Sequence, residues 1–441
     1  MTTDQQEDLK HARTLVLHPD FKSKKDRDNN QRHDPFLRLE EAAGLAEAIN
    51  LQVIHKDVAP IREARPATLF GTGIVSRYKG YIAHEDIQLV IVDATVSPVQ
   101  QRNLERQWRC KVIDRTGLIL EIFGERARTA EGRLQVELAA LTYARSRLVR
   151  SWTHLERQRG GLGFVGGPGE TQIEVDRRLI DTRITKLKKD LESVKRTRTL
   201  HRQARKRIPF PIVSLVGYTN AGKSTLFNRL TSSAVMAKDI LFATLDPTMR
   251  ALKLPSGRTV ILSDTVGFIS ELPTTLVAAF RATLEEVLEA DLLVHVRDIS
   301  HHETEAQRDD VHQVLHELEV EHRIEEDMIE ARNKIDLLSQ DERDTMKHRE
   351  KVVPISAADG SGVEELLQRI EDSLSKLEII HKITIDAYDG KALAWLYDHG
   401  EVLQRNENEL KTDLEVRMLP HHYDQFLAQF PMYTSHSCQS E

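Results

Sequence analysis

Cysteine and long hydrophobic runs are both scarce in this 441-residue chain. The two cysteines, Cys110 and Cys438, are too few for a disulfide framework or a thiolate metal site. No run of about 18 apolar residues occurs, so the sequence predicts no membrane span. The first residues are acidic and polar, unlike a secretory signal. Together these absences predict a cytoplasmic protein.

The length favours several domains, because a domain usually holds about 100–200 residues. The hydrophobic share of 40% and the charged share of 30% are typical of a globular chain. The net charge of −7 identifies no partner, since an average can hide a local patch. The order of the elements along the chain is more informative.

Short apolar runs separated by helix-length segments fill residues 1–125. The runs lie at 15–17, 51–54, 89–92 and 112–114, with an amphipathic helix at 36–49. This alternation is typical of a parallel α/β sheet. The sequence therefore predicts an N-terminal α/β subdomain over 1–125.

Two long helical stretches around a glycine-rich loop occupy residues 126–208. The loop at 160–169 contains six glycines and a proline, which no helix tolerates. In the second stretch, apolar residues alternate at spacings of four and three, as in a coiled coil. These residues are Ile180, Ile184, Leu187, Leu191 and Val194. We predict an antiparallel helical hairpin with its tip at 160–169.

The second helix of that hairpin is strongly basic. Residues 177–207 hold thirteen Lys or Arg against three acidic residues. A mixed charge run is usually a solvated face, whereas one sign at this density is typical of a phosphate-backbone partner. We therefore favour nucleic acid as the partner of 177–207.

A glycine-bounded loop between an apolar strand and a helix indicates nucleotide chemistry. Its residues are Gly217, Tyr218, Thr219, Asn220, Ala221, Gly222, Lys223 and Ser224, with Thr225 following. The glycines let backbone N–H groups face the phosphates, and the helix dipole adds to this. Lys223 is predicted to bridge the β- and γ-phosphates, and the Ser224 hydroxyl to bind Mg²⁺.

A second buried strand, at 260–263, ends in the sequence Asp264, Thr265, Val266 and Gly267. Asp264 could hold a water of the Mg²⁺ shell, and Gly267 could offer its N–H to the γ-phosphate. Between the two motifs lie Phe242, Ala243, Thr244, Leu245 and Asp246. A threonine here can complete the Mg²⁺ shell, and we expect Thr244, with Thr248 as the alternative. Lys223, Thr244 and Gly267 form the predicted catalytic set.

Base selection is predicted from the sequence Asn333, Lys334, Ile335 and Asp336. The Asp336 carboxylate can accept from both donors of guanine, which adenine lacks. Ser356, Ala357 and Ala358 follow another strand, and the Ala357 N–H could bind the guanine carbonyl. The ordered set predicts a guanine-nucleotide domain over 209–376, binding GTP and GDP.

The position that holds a water-orienting glutamine in Ras-like proteins is Phe268 here. Either Phe268 packs on the switch and leaves hydrolysis slow, or a partner, the switch backbone or a monovalent cation positions the water. Asn220 resembles the asparagine of potassium-stimulated GTPases, so K⁺ is a candidate cofactor beside Mg²⁺. We predict slow intrinsic turnover that a macromolecular partner raises.

Residues 380–441 are predicted to form a small α+β module. The order is strand 383–387, helix 391–397, strand 413–418 and helix 423–430.

The chain resembles the HflX family of translational GTPases over roughly residues 90–370. The resemblance is carried by the segments 97–105, 114–120, 135–139, 167–171, 176–178 and 242–248. It implies an α/β fold in which a GTPase domain follows an α/β subdomain and a helical hairpin and precedes a small C-terminal domain.

The resemblance also implies a partner. It implies binding to the large ribosomal subunit in the GTP state and a role in splitting or rescuing stalled ribosomes under stress. Ribosomal RNA would then contact the helix 177–207 and the loop 160–169, and we expect a monomer. Two alternatives remain, namely a GTP-dependent regulator of a protein or membrane-protease partner and an RNA-remodelling NTPase with a second nucleotide site.

Overall fold

The computed structural model describes residues 11–21, 33–127, 129–158, 172–205, 210–231, 248–270, 287–288, 290–318, 328–345, 351–376, 378–408 and 410–433. The predicted tip at 160–169 lies outside the described residues, as do Lys206 and Arg207. The predicted switch residues Phe242, Ala243, Thr244, Leu245 and Asp246 also lie outside them.

The N-terminal region is a four-stranded parallel sheet flanked by helices. Its elements are β1 (Arg13–Phe21), α1 (Pro35–Glu47), β2 (Gln52–Ile61), α2 (Thr72–His84), β3 (Leu89–Val92), α3 (Pro98–Trp108), β4 (Lys111–Asp114) and α4 (Arg115–Arg126). The strand order is β2-β1-β3-β4, and every pair is parallel. The predicted parallel α/β sheet is confirmed. The order reverses between β1 and β3, where sheets of this kind have a crevice at their carboxyl edge.

Two long helices follow, α5 (Ala130–Gln158) and α6 (Gln172–Arg205), and we call this hairpin the arm. Ile184, Leu187 and Leu191 of α6 are buried, as the predicted seam requires. Ion pairs join Glu137 of α5 to Arg183 of α6 and Arg145 of α5 to Asp181 of α6. The residue that comes later in α5 therefore pairs with the residue that comes earlier in α6. This is the pattern of an antiparallel pair.

A six-stranded sheet forms the third region. Its elements are β5 (Ile212–Val216), α7 (Lys223–Thr231), β6 (Thr248–Lys253), β7 (Thr259–Asp264), β8 (Leu292–Asp298), α8 (Thr304–Glu317), β9 (Met328–Asn333), α9 (Gln340–Thr345), β10 (Val352–Pro354) and α10 (Val363–Lys376). The order is β10-β9-β8-β5-β7-β6, and only β6 is antiparallel to its neighbour. The carboxyl ends of β5, β7, β8, β9 and β10 therefore share one edge, where ligands of such sheets bind.

The C-terminal region is an antiparallel three-stranded sheet with two helices. Its elements are β11 (Ile379–Asp386), α11 (Gly390–His399), β12 (Glu401–Glu407), β13 (Lys411–Met418) and α12 (Pro420–Gln429). The order is β11-β13-β12. The sequence analysis missed β12, because this edge strand is polar and almost wholly exposed, so it carries no apolar alternation. Within the described ranges, no helix is both long and apolar enough to cross a bilayer.

Candidate nucleotide-binding site

The phosphate loop, residues 217–224, crosses the carboxyl edge of the sheet between β5 and α7. Gly217 has a φ of +150°, and a Cβ there would overlap the carbonyl of Val296 in β8, so only glycine fits. The Lys223 ammonium is buried and donates to the carbonyls of Gly217 (3.0 Å) and Tyr218 (2.7 Å). Burial lowers the pKa of Lys223 to about 8, although the charge of Asp264 opposes this. A buried cation thus lies inside the loop.

A hydroxyl and a carboxylate meet beside the loop. The hydroxyl of Ser224 donates to the Asp264 carboxylate at 2.7 Å, because β5 and β7 are parallel neighbours. Hydroxyl and carboxylate oxygens suit Mg²⁺. The described residues hold no cluster of three or more His, Cys, Asp or Glu that could bind a metal by itself. The donor set fits an ion that takes its remaining ligands from nucleotide phosphates and water.

Residues 264–270, here called the switch segment, lie directly against the phosphate loop. The Thr219 N–H donates to the Phe268 carbonyl at 2.7 Å, and the Phe268 N–H donates to the Gly217 carbonyl at 3.1 Å. A Cβ on Gly267 would lie 3.1 Å from Lys223 Nζ. The Phe268 side chain is 1% exposed and packs in the core, so it orients no water.

Asn333 connects the phosphate loop to the predicted base-binding residues. Its side-chain nitrogen donates to the Ala221 carbonyl, and its side-chain oxygen accepts from the Ala357 N–H, both at 2.8 Å. In this structure the Ala357 N–H is therefore directed at Asn333. Asp336 Oδ1 is buried and has no hydrogen-bond partner in the described part of the chain. A buried carboxylate oxygen without a donor is what a guanine base would satisfy.

Two residues of this pocket were missed by the sequence analysis. Asp298, at the end of β8, accepts from Lys334 Nζ at 2.7 Å, and its position at the shared carboxyl edge could have indicated this. Arg229, seven residues into α7, donates from Nε to the Ala357 carbonyl at 2.6 Å and from Nη2 to the Ala358 carbonyl. No pattern in the sequence indicates the contact of Arg229.

The remaining predicted residues surround the same edge. The Thr265 hydroxyl donates to the Leu215 carbonyl at 2.6 Å, and Val266 is buried. Ile335 opens a short 3₁₀ turn, and Ser356 is buried behind the pocket. The structure thus brings together the loop with Thr225, the segment Asp264–Gly267, the segment Asn333–Asp336 and Ser356, Ala357 and Ala358.

Two helices that flank the N-terminal sheet, α1 and α4, contact this site directly. The Tyr218 hydroxyl donates to Glu41 at 2.6 Å and accepts from the Ser270 N–H at 2.9 Å. Arg38 donates to the Ser270 hydroxyl at 2.7 Å. Arg115 donates to both the Ser270 carbonyl and its hydroxyl, and it also contacts Glu41. The side chains of Arg38, Arg115 and Ser270 are almost fully buried.

Asp93 at the end of β3 neutralises these cations from the N-terminal side. It accepts from Arg115 at 2.6 Å and contacts His18 at 2.8 Å across the crevice between β1 and β3. Burial raises the pKa of Asp93, but the charges of Arg115 and Arg38 and the hydrogen bond of His18 outweigh it and hold that pKa well below its usual range. The crevice of the N-terminal sheet is thus in contact with the switch segment.

The arm is attached beside the same contact. Asp114, adjacent to Arg115, caps α4 through the Gly117 N–H and accepts from Tyr143 and Arg147 of α5. Arg147 also donates to the Val96 carbonyl at 3.0 Å. The base of the arm is therefore fixed to the N-terminal sheet by buried and half-buried polar contacts.

The described basic side chains of α6 differ in whether they form ion pairs. Arg183 is paired with Glu137, and Arg177 lies 3.9 Å from Asp181. Lys186, Lys188 and Lys189 are exposed and form no ion pair with another described residue. These three ammonium groups are available to an external anion.

Comparison with known proteins decides the family. Four family models match consecutive segments: GTP-binding GTPase N-terminal at 37–124, GTP-binding GTPase Middle Region at 126–205, 50S ribosome-binding GTPase at 212–334 and HflX C-terminal domain at 342–427. The GTPase HflX of Magnetococcus marinus is 51% identical over 383 residues, which cover 87% of this chain and 88% of that protein. The chain belongs to the HflX family.

A second relative agrees with this assignment. The GTPase HflX of Escherichia coli is 42% identical over 86% of this chain and 89% of that protein. Among solved structures, a GTP-binding protein from the archaeon Sulfolobus solfataricus in complex with GDP is similar, with 25% identity, a TM-score of 0.43 and coverage of 83% of this chain and 99% of that one. As an HflX protein, the chain is a ribosome-associated GTPase that hydrolyses GTP.

Proposed function

We propose that the chain binds the large ribosomal subunit in its GTP state and releases it after hydrolysis to GDP and phosphate. The process it serves is the splitting or rescue of stalled ribosomes under stress. The observation that carries the proposal is the convergence of Lys223, the switch segment and the Asn333–Asp336 pocket at one sheet edge, which Arg115 and the adjacent Asp114 join to the base of the arm. Through these contacts, the nucleotide bound at the site affects the position of the cationic arm.

Within the site, we assign Lys223 and the Gly267 N–H to the γ-phosphate. Ser224 and Thr244 would bind Mg²⁺, with Asp264 acting through a water, and that ion would neutralise charge on the β- and γ-phosphates. Asp336 would accept from guanine, with Lys334 held by Asp298 beside the base. The Ala357 N–H reaches the base carbonyl only after leaving Asn333.

The intrinsic rate of hydrolysis is proposed to be slow, because the buried Phe268 replaces a water-orienting glutamine. A macromolecular partner raises this rate. K⁺ raises it more than Na⁺, through Asn220. The side chain of Asn220 is exposed, and its backbone is left-handed, with a φ of 58°. Rates with and without purified large subunits, in K⁺ and in Na⁺, test both statements. Equal rates in all four conditions would refute them.

RNA contact is assigned to the helix 177–207 and the tip 160–169 of the arm. The support is the local charge and the exposed Lys186, Lys188 and Lys189, which form no ion pair with another described residue. The proposed division is an N-terminal subdomain at 1–125, the arm at 126–208, the GTPase domain at 209–376 and a C-terminal domain at 380–441, acting as a monomer.

Cosedimentation with large subunits tests the ribosomal role. Binding is expected with a non-hydrolysable GTP analogue. The affinity for large subunits should be at least tenfold weaker with GDP. Replacement of Lys186, Lys188 and Lys189 by Gln should weaken binding and flatten its salt dependence, because fewer counterions are released. The matched control replaces the exposed Lys79, Lys391 and Lys411 by Gln and should leave binding unchanged. Binding that ignores the nucleotide would favour the alternative, a regulator of a protein or membrane-protease partner.

A further inference from the structure

The GTPase site lacks its usual means of holding the attacking water. The residue after Gly267 is Phe268, whose ring is buried in the core and carries no polar atom. A hydrolase still needs a group that hydrogen-bonds the water beside the γ-phosphate. Such a group needs a polar atom close to Lys223 and Gly267 that the fold does not already use.

Thr219, the third residue of the phosphate loop, carries such an atom. The residue is 6% exposed, and its hydroxyl oxygen is buried without a hydrogen-bond partner among the described residues. Its backbone N–H is used, since it donates to the Phe268 carbonyl at 2.7 Å. A buried hydroxyl without a partner destabilises the fold, so its presence calls for another reason.

The place of Thr219 links this hydroxyl to the γ-phosphate. A Cβ on Gly267 would lie 2.9 Å from both Cα and Cγ2 of Thr219 and 3.1 Å from Lys223 Nζ. Thr219, Gly267 and Lys223 therefore border one small space. Lys223 and the Gly267 N–H are the groups assigned to the γ-phosphate, so the Thr219 side chain lies beside the phosphate that is attacked. The Thr219 atoms nearest Gly267 are Cα and the methyl carbon Cγ2, and the hydroxyl stands on the same Cβ, one rotation about χ1 from this space.

The other hydroxyls of the phosphate loop and the switch segment, both of which the structure describes, are already in use. Ser224 donates to Asp264, and Thr265 donates to the Leu215 carbonyl. The Tyr218 hydroxyl is held between Glu41 and the Ser270 N–H. Thr219 is thus the hydroxyl of the phosphate loop and switch segment that hydrolysis can use without breaking one of these bonds.

We propose that the Thr219 hydroxyl is a catalytic group that orients the attacking water. Its oxygen accepts a hydrogen bond from the water, and its hydrogen is donated to a γ-phosphate oxygen. The water oxygen forms the new bond to the γ-phosphorus as the bond to the β–γ bridging oxygen breaks, and that electron pair stays on GDP. The water proton ends on the released phosphate, while Thr219 neither gains nor loses a proton. The proposal rests on GTP hydrolysis at this loop.

The test compares Thr219→Val, Thr219→Ser and the wild-type chain in single-turnover GTP hydrolysis. Valine has the shape of threonine without the hydroxyl, and we expect it to slow hydrolysis about 100- to 1,000-fold, the loss typical of one oriented hydrogen-bonding group. Thr219→Ser should stay within about threefold of the wild type, because the hydroxyl remains. Thr231→Val, which removes a hydroxyl bonded to the Phe227 carbonyl in the same domain, is the matched control and should hydrolyse normally.

Two further readouts separate a catalytic role from a structural one. Affinity for GDP and for a non-hydrolysable GTP analogue should change by less than about twofold in Thr219→Val, because the effect is confined to the transition state. Its melting temperature should not fall, since the hydroxyl it loses has no partner to leave behind. The complex of GDP with aluminium fluoride should weaken in Thr219→Val and persist in Thr219→Ser.

Each outcome has a definite reading. Wild-type turnover in Thr219→Val would overturn the role of Thr219, as would a Thr219→Ser variant as slow as Thr219→Val. A slow Thr219→Val variant whose analogue affinity falls to the same extent would also overturn it, because the residue would then act in binding. If the wild-type chain and a Lys223→Ala variant both fail to hydrolyse GTP, hydrolysis itself is refuted, and the role of Thr219 with it.

Discussion

Arg115 donates to the carbonyl oxygen of Ser270 at 3.0 Å and to its hydroxyl at 3.2 Å, which joins the N-terminal sheet to the switch segment. The preceding residue, Asp114, accepts from Arg147 at the base of the arm. Arg115 therefore contacts the switch segment, and the adjacent Asp114 contacts the arm. We expect a displacement of Ser270 to shift Arg115 and, with it, the backbone at Asp114, where the arm is attached. Coupling of this kind needs a contiguous set of contacts.

Ser270→Ala is expected to raise affinity for a non-hydrolysable GTP analogue relative to GDP by about fivefold, within the usual range of coupling between sites. The phosphate loop and the switch segment are hydrogen-bonded to each other through Thr219 and Phe268, so we expect a bound γ-phosphate to displace the switch segment. The hydroxyl of Ser270 resists this through Arg38 and Arg115. Equilibrium titration with both nucleotides gives the ratio.

Glu303→Gln provides the control for the Ser270 variant, because it alters a different contact with the N-terminal region. Glu303 interacts with His33 and the Asp34 N–H, away from the switch segment. Its affinity ratio should equal that of the wild type. A ratio raised equally by both variants would mean that any loosening of this interface favours GTP, which contradicts a specific restraint at Ser270.

Arg115→Ala should lower the free energy of unfolding by about 3–5 kcal/mol, because it leaves buried carboxylates without their cation. Asp93 is almost fully buried and accepts from Arg115 at 2.6 Å, and Glu41 contacts the same guanidinium. Denaturant titration measures the change. The control is Arg77→Ala, whose partner is Asp57 on an exposed face, and the expected loss there is under about 1 kcal/mol. Equal losses in both variants would contradict the assignment.

The contact of His33 with α8 should depend on pH. Its ring nitrogens lie 3.0 Å from Glu303 and 3.1 Å from Asp310. Burial lowers the pKa of His33, but the two carboxylates outweigh this and raise it above its ordinary value. A raised pKa in the folded state stabilises the fold fully below about pH 6.5, and the stabilisation is lost as the pH rises through the folded-state pKa.

His33→Gln is therefore expected to lower the melting temperature by about 2–4 °C at pH 6, as for a loss near 1 kcal/mol, and by less at pH 8.5. Differential scanning calorimetry at both pH values measures this. His84→Gln, which alters an exposed pair with Glu85, should cause no pH-dependent difference. A His33→Gln effect that is constant with pH would show that the ring is not protonated in the fold.

The sequence predicts what local rules control and misses what depends on distant contacts. Gly217 and Lys223 were predicted because a phosphate loop needs them at fixed spacing, and β3 was predicted because a buried strand is a continuous apolar run. The bond between Tyr218 and Glu41 joins residues 177 positions apart, so no periodicity contains it. Asn333 was predicted as part of the base-selecting segment, and no local pattern indicated that its amide connects the phosphate loop to Ala357.

Arg229→Ala should weaken GDP and a GTP analogue equally, by about five- to tenfold, the cost of losing charge-assisted hydrogen bonds near solvent. Arg229 holds the carbonyls of Ala357 and Ala358, and Gly360 packs against its guanidinium. The base is common to both nucleotides, so their affinity ratio should not change. Equilibrium titration of both nucleotides measures this.

A base analogue sharpens the test of Arg229. The diphosphate of 2,6-diaminopurine riboside carries an amine in place of the guanine carbonyl, so the loop of Ala357 and Ala358 cannot donate to it. Preference for GDP over this analogue should shrink in Arg229→Ala, because the loop is less well held. Preference for GDP over IDP, which reports the contact with Asp336, should persist. A loss of both preferences would mean that the whole pocket has shifted.

Asp336→Asn should reverse base selection. In the wild type, Asp336 Oδ1 is buried and has no partner in the part of the chain that the structure describes, so we expect guanine donors to satisfy it. An asparagine amide presents a donor instead, which clashes with the guanine amine and pairs with the carbonyl of xanthine. GTP affinity is expected to fall at least 100-fold and XTP affinity to rise, since buried polar mismatches discriminate strongly.

Competitive titration of both nucleotides measures the exchange, and Asp341→Asn, on the exposed start of α9, is the control. Loss of both nucleotides in Asp336→Asn would instead indicate a collapsed pocket and contradict this role for the carboxylate.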